Sequence, residues 1–230
     1  MKRLLLFYLI FCPLVFSAIP EQSFKNGFFI DDYVVWARNK EEFKRIRTIV
    51  NVSGWSQGII NMGLGFKYAS FNLGEYKPKT SLVAADNVIK DLKSKAYYAE
   101  LYVPLVLGSF VIAVSSIPHS SNHFANAYAY TVRNDKQNAM YHAGMGIGLA
   151  INGAVLASGG ASQLPSNVKY TLYGISGAAA FFEAKNQFQQ GREFWGEDYW
   201  RAGYHFVSAG LFATGAALPF ALNYYKKKSE

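Results

Sequence analysis

Long uncharged segments dominate the second half of the chain. Asp, Glu, Lys and Arg are absent from residues 137–168, 170–182 and 202–225, and residues 101–117 are apolar. Two of these segments exceed the roughly 20 residues that a membrane-spanning helix needs, residues 101–117 approach that length, and residues 170–182 are shorter. A mature chain of this size has too little polar surface to enclose four such segments in water. We therefore predict an all-α fold, a polytopic helical membrane bundle.

Residues 48–66 form a fifth uncharged segment, which precedes these four. This segment is less apolar because it contains Asn51, Gln57 and Asn61. The mature chain is therefore expected to have four or five spans. Their predicted limits are about 48–66, 101–117, 138–160, 170–184 and 203–222.

The N-terminus has the pattern of an export signal. Lys2 and Arg3 precede an apolar run that ends at the small residues Ser17 and Ala18, which is the arrangement of a signal peptide. We expect residues 1–18 to be cleaved, or alternatively retained as a signal anchor. The protein is then predicted to lie in a membrane, most simply a bacterial cell membrane.

Polar segments divide the rest of the chain. Residues 19–47 are predicted to form a polar arm that ends in an amphipathic helix, since Glu41 and Arg45 are spaced i,i+4. Residues 67–100 are predicted to be a polar connector inside a membrane domain that extends over 48–230. A shorter connector is expected at 118–136.

A β-barrel of the outer-membrane type is the alternative fold. Large residues alternate with small or polar ones from Tyr141 to Asn152, and a period of two is typical of a barrel strand. Residues 101–117 and 207–222 lack this alternation, so the pattern favours helices.

Composition and charge narrow the function classes. Charged residues make up 17% of the 230 residues, against about a quarter in soluble domains. The formal charge of +8 includes the two basic residues of the signal, and most other basic residues flank the predicted spans, so nucleic acid is not an expected partner. The single Cys excludes an internal disulfide and a cysteine-rich metal module.

Small residues recur along two of the predicted spans. Such residues let membrane helices approach closely, and the glycines expected to do so are Gly144, Gly148, Gly153, Gly210 and Gly215. The chain offers no complete catalytic constellation. We therefore expect a non-enzymatic accessory or assembly subunit, whose partners are the lipid bilayer and another membrane protein or a second copy of itself.

Aromatic residues are concentrated before the last span. Trp and Tyr are favoured at the membrane surface because each has an apolar ring and a polar group. The expected interfacial residues are Trp195, Tyr199, Trp200 and Tyr204.

The four histidines provide two further hypotheses. Two spans along the chain return it to the same side of a membrane, so the starts of 138–160 and 203–222, and connector 118–136, are expected near one face. His119 and His123 are spaced i,i+4, as in helical zinc sites. With Asp135 and His205 they would form a zinc-dependent lipid hydrolase.

The second hypothesis is a haem-binding membrane anchor subunit. His142 and His205 each open an apolar segment, and two histidines on separate helices can ligate haem b. Beyond these alternatives, the sequence predicts no metal and no cofactor.

Overall fold

The computed structural model describes residues 39–74, 85–161 and 163–229. All regular secondary structure in these ranges is helical. The five helices are α1 (Lys40–Gly74), α2 (Ala85–Val132), α3 (Lys136–Ala157), α4 (Ser166–Phe194) and α5 (Tyr199–Ser229).

Helix α3 lies at the centre of the bundle. It packs against α1, α2, α4 and α5, while α2 also packs against α1 and α5, and α4 packs against α5. Consecutive helices from α2 onward are joined by short turns, which makes them antiparallel neighbours. In the first turn Asn134 has φ +59°, and Asp135 caps α3 by accepting a hydrogen bond from the backbone N–H of Asn138.

The helices extend further than the predicted spans. Helix α1 joins the predicted amphipathic segment to the first span, and α2 continues through 101–117 to Val132. The expected connector at 118–136 is therefore wrong, because only residues 133–135 lie between α2 and α3. A change in polarity marked the predicted boundaries, but backbone hydrogen bonds continue a helix through polar residues.

The barrel alternative is wrong for the described residues. Residues 141–152, whose alternation suggested a strand, lie inside α3, and the described ranges contain no strand. Three glycines of this helix, Gly146, Gly148 and Gly153, lie where a side chain of another helix approaches closely. The predicted signal at 1–18 and residues 19–38 of the polar arm lie outside the described residues.

Two helical segments are long and apolar enough to cross a membrane. They are Lys136–Ala157 and Tyr199–Tyr224. A core helix of a soluble protein can have the same length and composition. The other predicted spans within the described residues do not meet this criterion.

The predicted packing glycines fall into two groups. A Cβ on Gly148 would lie 2.5 Å from the Cβ of Ala179 on α4, and one on Gly153 or Gly215 would lie 2.9 Å from a side-chain atom of another helix. At Gly144 and Gly210 a Cβ would meet nothing within 4 Å. Only the first three therefore lie where helices approach closely.

Polar and apolar side chains are distributed unusually. The interior contains polar residues on every helix, among them Asn61, Asn152 and Ser176. Many of the buried apolar residues are alanines. Some large apolar side chains, such as Phe212 and Leu149, are buried, but many others are exposed. The exposed ones include Ile59, Ile60, Val111, Ile147, Phe181, Phe182, Phe188 and Val207.

Candidate functional site: a buried histidine–carboxylate network

A carboxylate lies at the centre of the polar interior. Glu183 on α4 is 1% exposed, and a buried carboxylate requires hydrogen-bond partners. It belongs to a buried polar stripe that follows the helical period along α4. The stripe consists of Ser176, Glu183, Gln187 and Gln190.

Both oxygens of Glu183 have partners on neighbouring residues. Oε1 lies 2.8 Å from Nδ1 of His119 and accepts a second hydrogen bond of 2.8 Å from Nε2 of Gln187. Oε2 lies 3.0 Å from Nε2 of His123. Helices α2 and α4 are thereby linked through one carboxylate.

The network continues from these partners to α3 and α5. Nδ1 of His123 lies 2.7 Å from Nδ1 of His142. Nδ1 of His205 lies 2.7 Å from Oε1 of Gln187. The hydroxyl of Tyr204 lies 3.3 Å from Nε2 of His119. We call these seven residues the histidine–carboxylate network: His119, His123, His142, Glu183, Gln187, Tyr204 and His205.

Hydrogen-bond chemistry gives the network a direction. An ionised carboxylate only accepts, so His119 donates through Nδ1–H and His123 through Nε2–H. Gln187 donates its amide to Glu183, which leaves its carbonyl to accept from His205. Every connection to Glu183 therefore places a donor toward the negative charge, which is the arrangement that compensates a buried ion.

Aromatic rings hold the imidazoles in place. His142 stacks on Tyr130 at 5.3 Å between centroids, and His205 stacks on Phe194 at 5.6 Å. The rings of Phe212 and His119 form a T-shaped pair with 4.8 Å between centroids. These contacts restrict rotation of the rings and favour the orientations that the hydrogen bonds use.

The structure brings all four histidines together but leaves Asp135 apart. Asp135 remains at the turn between α2 and α3, where hydrogen bonds from the side-chain amide and backbone N–H of Asn138 lower its pKa. His119 and His123 contact separate oxygens of Glu183. Among the described residues, no group of three or more His, Cys, Asp or Glu side chains has the arrangement of a metal site.

The two proposed haem ligands lie at opposite ends of the network. A path of hydrogen bonds leads from His142 to His205 through His123, Glu183 and Gln187. Both imidazoles direct Nδ1 to a protein partner, and their rings are stacked on Tyr130 and Phe194. The haem hypothesis therefore stays a prediction.

The predicted interfacial aromatics surround the turn between α4 and α5. Trp195, Tyr199 and Trp200 are 64%, 65% and 92% exposed. Gly196 in this turn has φ +102°, a backbone conformation that favours glycine. Tyr204 differs from the other three, because it is 46% exposed while its hydroxyl reaches His119.

Sequence reasoning missed Glu183 and Gln187. The predicted span 170–184 includes Glu183 near its end, directly after the uncharged run 170–182, and assigns it no role. The available signal was the period of small and polar residues from Ser176 to Gln190, which places Glu183 and Gln187 on one helical face. An ionisable residue within an apolar segment is itself a mark of a functional site.

Comparisons of the chain with protein-family models, curated proteins and solved structures find no match. The described residues form a helical bundle whose interior holds a histidine–carboxylate network.

Proposed function

We propose that this chain is a non-enzymatic integral membrane protein, an accessory or assembly subunit whose helices are held together by the histidine–carboxylate network. The observation that carries the proposal is the distribution of side chains. Many polar residues lie in the interior beside its apolar clusters, and many large apolar residues are exposed.

The exposed side chains support a lipid environment. Ile59, Phe181 and Val207 are 61%, 62% and 65% exposed, and they lie on three different helices. Soluble monomers rarely expose large continuous apolar surfaces, whereas lipid tails solvate such side chains at no cost. In lipid, interior polar groups must form hydrogen bonds with one another. The residues of the histidine–carboxylate network do so.

Helix length supports the same environment. Helix α3 has 22 residues, which at about 1.5 Å per residue gives a length of about 33 Å. A bilayer has a hydrocarbon core of about 30 Å. The exposed Trp and Tyr residues at the turn between α4 and α5 would then lie near the polar headgroups.

The proposed accessory role rests on close packing between helices and not on a catalytic site. Helices approach closely at Gly148, Gly153 and Gly215, as in membrane bundles built through small residues. The histidines in the network are directed to Glu183, to Gln187 and to each other. The expected partners are lipid and another membrane protein or a second copy of this chain.

Alkaline extraction of membranes tests the environment. We expect the full-length protein to stay in the membrane pellet after carbonate treatment and to require detergent for release, because its apolar surface is solvated by lipid. A peripheral membrane protein expressed in the same cells serves as the control that carbonate releases. Release of this protein into the carbonate supernatant would contradict membrane integration.

Analysis of the detergent-purified protein tests the rest of the proposal. We expect no stoichiometric zinc and no Soret absorption band, and co-purification with itself or with another membrane protein. Zinc at one atom per chain or a haem spectrum would overturn the non-enzymatic assignment. A monomer without any co-purifying membrane protein would contradict the accessory role.

A further inference from the structure

The contact between His123 and His142 has a geometry that permits only certain protonation states. Their Nδ1 atoms lie 2.7 Å apart, and both side chains are 5% exposed. One nitrogen must carry a proton and the other must accept it, since a hydrogen bond requires one donor and one acceptor. The contact therefore holds one proton.

We propose that His123 and His142 form a proton-binding site that locks α3 onto α2. One imidazole of the pair can be charged and still donate across the contact to its neutral partner. When both are charged, two N–H groups oppose each other and the hydrogen bond is lost. A second positive charge on the pair therefore breaks this contact and lets α3 separate locally from α2.

Glu183 stabilises the singly charged pair. Its Oε2 accepts from Nε2 of His123, so one negative charge lies beside one imidazolium in the interior. A second positive charge has no comparable partner in the network, because Glu183 is its single carboxylate. Buried like charges repel strongly, so electrostatic repulsion adds to the conflict between donors.

The groups around the contact come from all of the packed helices. Helix α2 contributes Tyr130 and His119, and α3 contributes Tyr141, whose ring lies 6.3 Å from that of His123. Helix α4 contributes Glu183. Helix α5 contributes Tyr204, which reaches Glu183 through His119, and His205, which reaches it through Gln187. On α1, Glu42 pairs with Arg133 near the turn between α2 and α3.

The position of the pair explains why α3 is the helix released. His123 lies near the end of α2 and His142 near the start of α3, so the two face each other across the helical hairpin closed by residues 133–135. The inference depends on the bundle and not on its environment. Carbonate extraction can therefore fail without affecting it.

Hydrogen exchange in the detergent-purified full-length protein tests the site. We expect the protection factors of amides in the first half of α3, corrected for the intrinsic pH dependence of exchange, to fall as the pH is lowered from about 7 to about 4. If opening requires one additional proton, protection falls about tenfold per pH unit in the acidic range. Protection that is independent of pH would overturn the proposal.

Two variants identify the residues responsible. His142→Gln keeps a polar partner for His123 but cannot become charged, so we expect it to lose the acid-dependent fall in protection. His205→Gln is the matched control, because it removes a network histidine and leaves the His123–His142 pair intact. We expect this variant to retain the acid-dependent fall in the protection of α3. Equal pH dependence in the wild type and His142→Gln, or its loss in both variants, would contradict the assignment.

A measurement on the wild type keeps the proposal testable if His142→Gln does not fold. The ¹⁵N chemical shifts of imidazoles report which nitrogens carry protons. We expect one protonated and one unprotonated Nδ1 in the pair at neutral pH, and both protonated in the range where protection falls. Both Nδ1 atoms protonated while α3 remains fully protected would overturn the inference.

Discussion

Replacement of Glu183 by alanine is expected to have the largest effect on stability. The substitution removes the acceptor of His119, His123 and Gln187 together, and all three lie in the interior. Removing one partner of a buried ionic pair costs about 3–5 kcal/mol. For a chain of this size we expect a loss of about 10 °C in the unfolding temperature, measured by circular dichroism in detergent.

Glu193→Ala is the matched control on the same helix. Glu193 is exposed, so its removal should change the unfolding temperature little. Glu183→Gln should be intermediate, because the amide oxygen still accepts while its NH₂ group opposes a donor. Equal unfolding temperatures for Glu183→Ala and Glu193→Ala would show that the carboxylate does not hold the helices together.

Replacement of Gly148 by valine is expected to separate α3 from α4. A Cβ at Gly148 would lie 2.5 Å from the Cβ of Ala179. Two carbon atoms that are not bonded to each other cannot approach so closely. Both atoms belong to rigid parts of their helices, so relief requires movement of a whole helix. Overpacking of this kind costs about 1–3 kcal/mol or more, seen as a lower unfolding temperature or loss of folded protein.

Gly144→Val is the control for this prediction. It lies one helical turn earlier on α3, where an added Cβ meets nothing within 4 Å, so both variants carry the same loss of helix propensity. The difference between them isolates the contact with Ala179. A Gly144→Val protein that is as unstable as Gly148→Val would contradict the packing explanation.

The network also explains why polar residues can occupy the interior of a bundle with little apolar volume. The buried apolar residues include many alanines, which release little free energy on burial compared with leucine or phenylalanine. Hydrogen bonds among α2, α3, α4 and α5 supply connections that alanines cannot. A buried network of hydrogen bonds also favours one arrangement of the helices over others.

The sequence indicated much of the fold because the relevant signals are local. Runs without charge predicted helices in the right parts of the described chain. Two of the predicted spans lie in helical segments that are long and apolar enough to cross a membrane, and the number of spans stays a prediction. The same signals misplaced boundaries such as that at residue 118, since a helix continues where polarity changes. The glycines in the sequence indicated that helices pack closely. Which glycines lie at a contact depends on how α3 is rotated about its axis, and this rotation places Gly148 against Ala179 and leaves Gly144 without a neighbour within 4 Å.

The histidine–carboxylate network depends on distances between side chains of different helices, and the local sequence pattern does not contain those distances. By itself the sequence determined the helical class, the small-residue faces and the expectation that the histidines share one end of the bundle. Only the tertiary structure decided that Glu183 is their common partner and that Asp135 is not. Glu183 is 60 or more residues from His119 and His123 along the chain, and these side chains meet because packing sets the relative position of α2 and α4. A hydrogen bond requires atoms within about 3 Å, and helical periodicity alone cannot specify such a distance between separate helices.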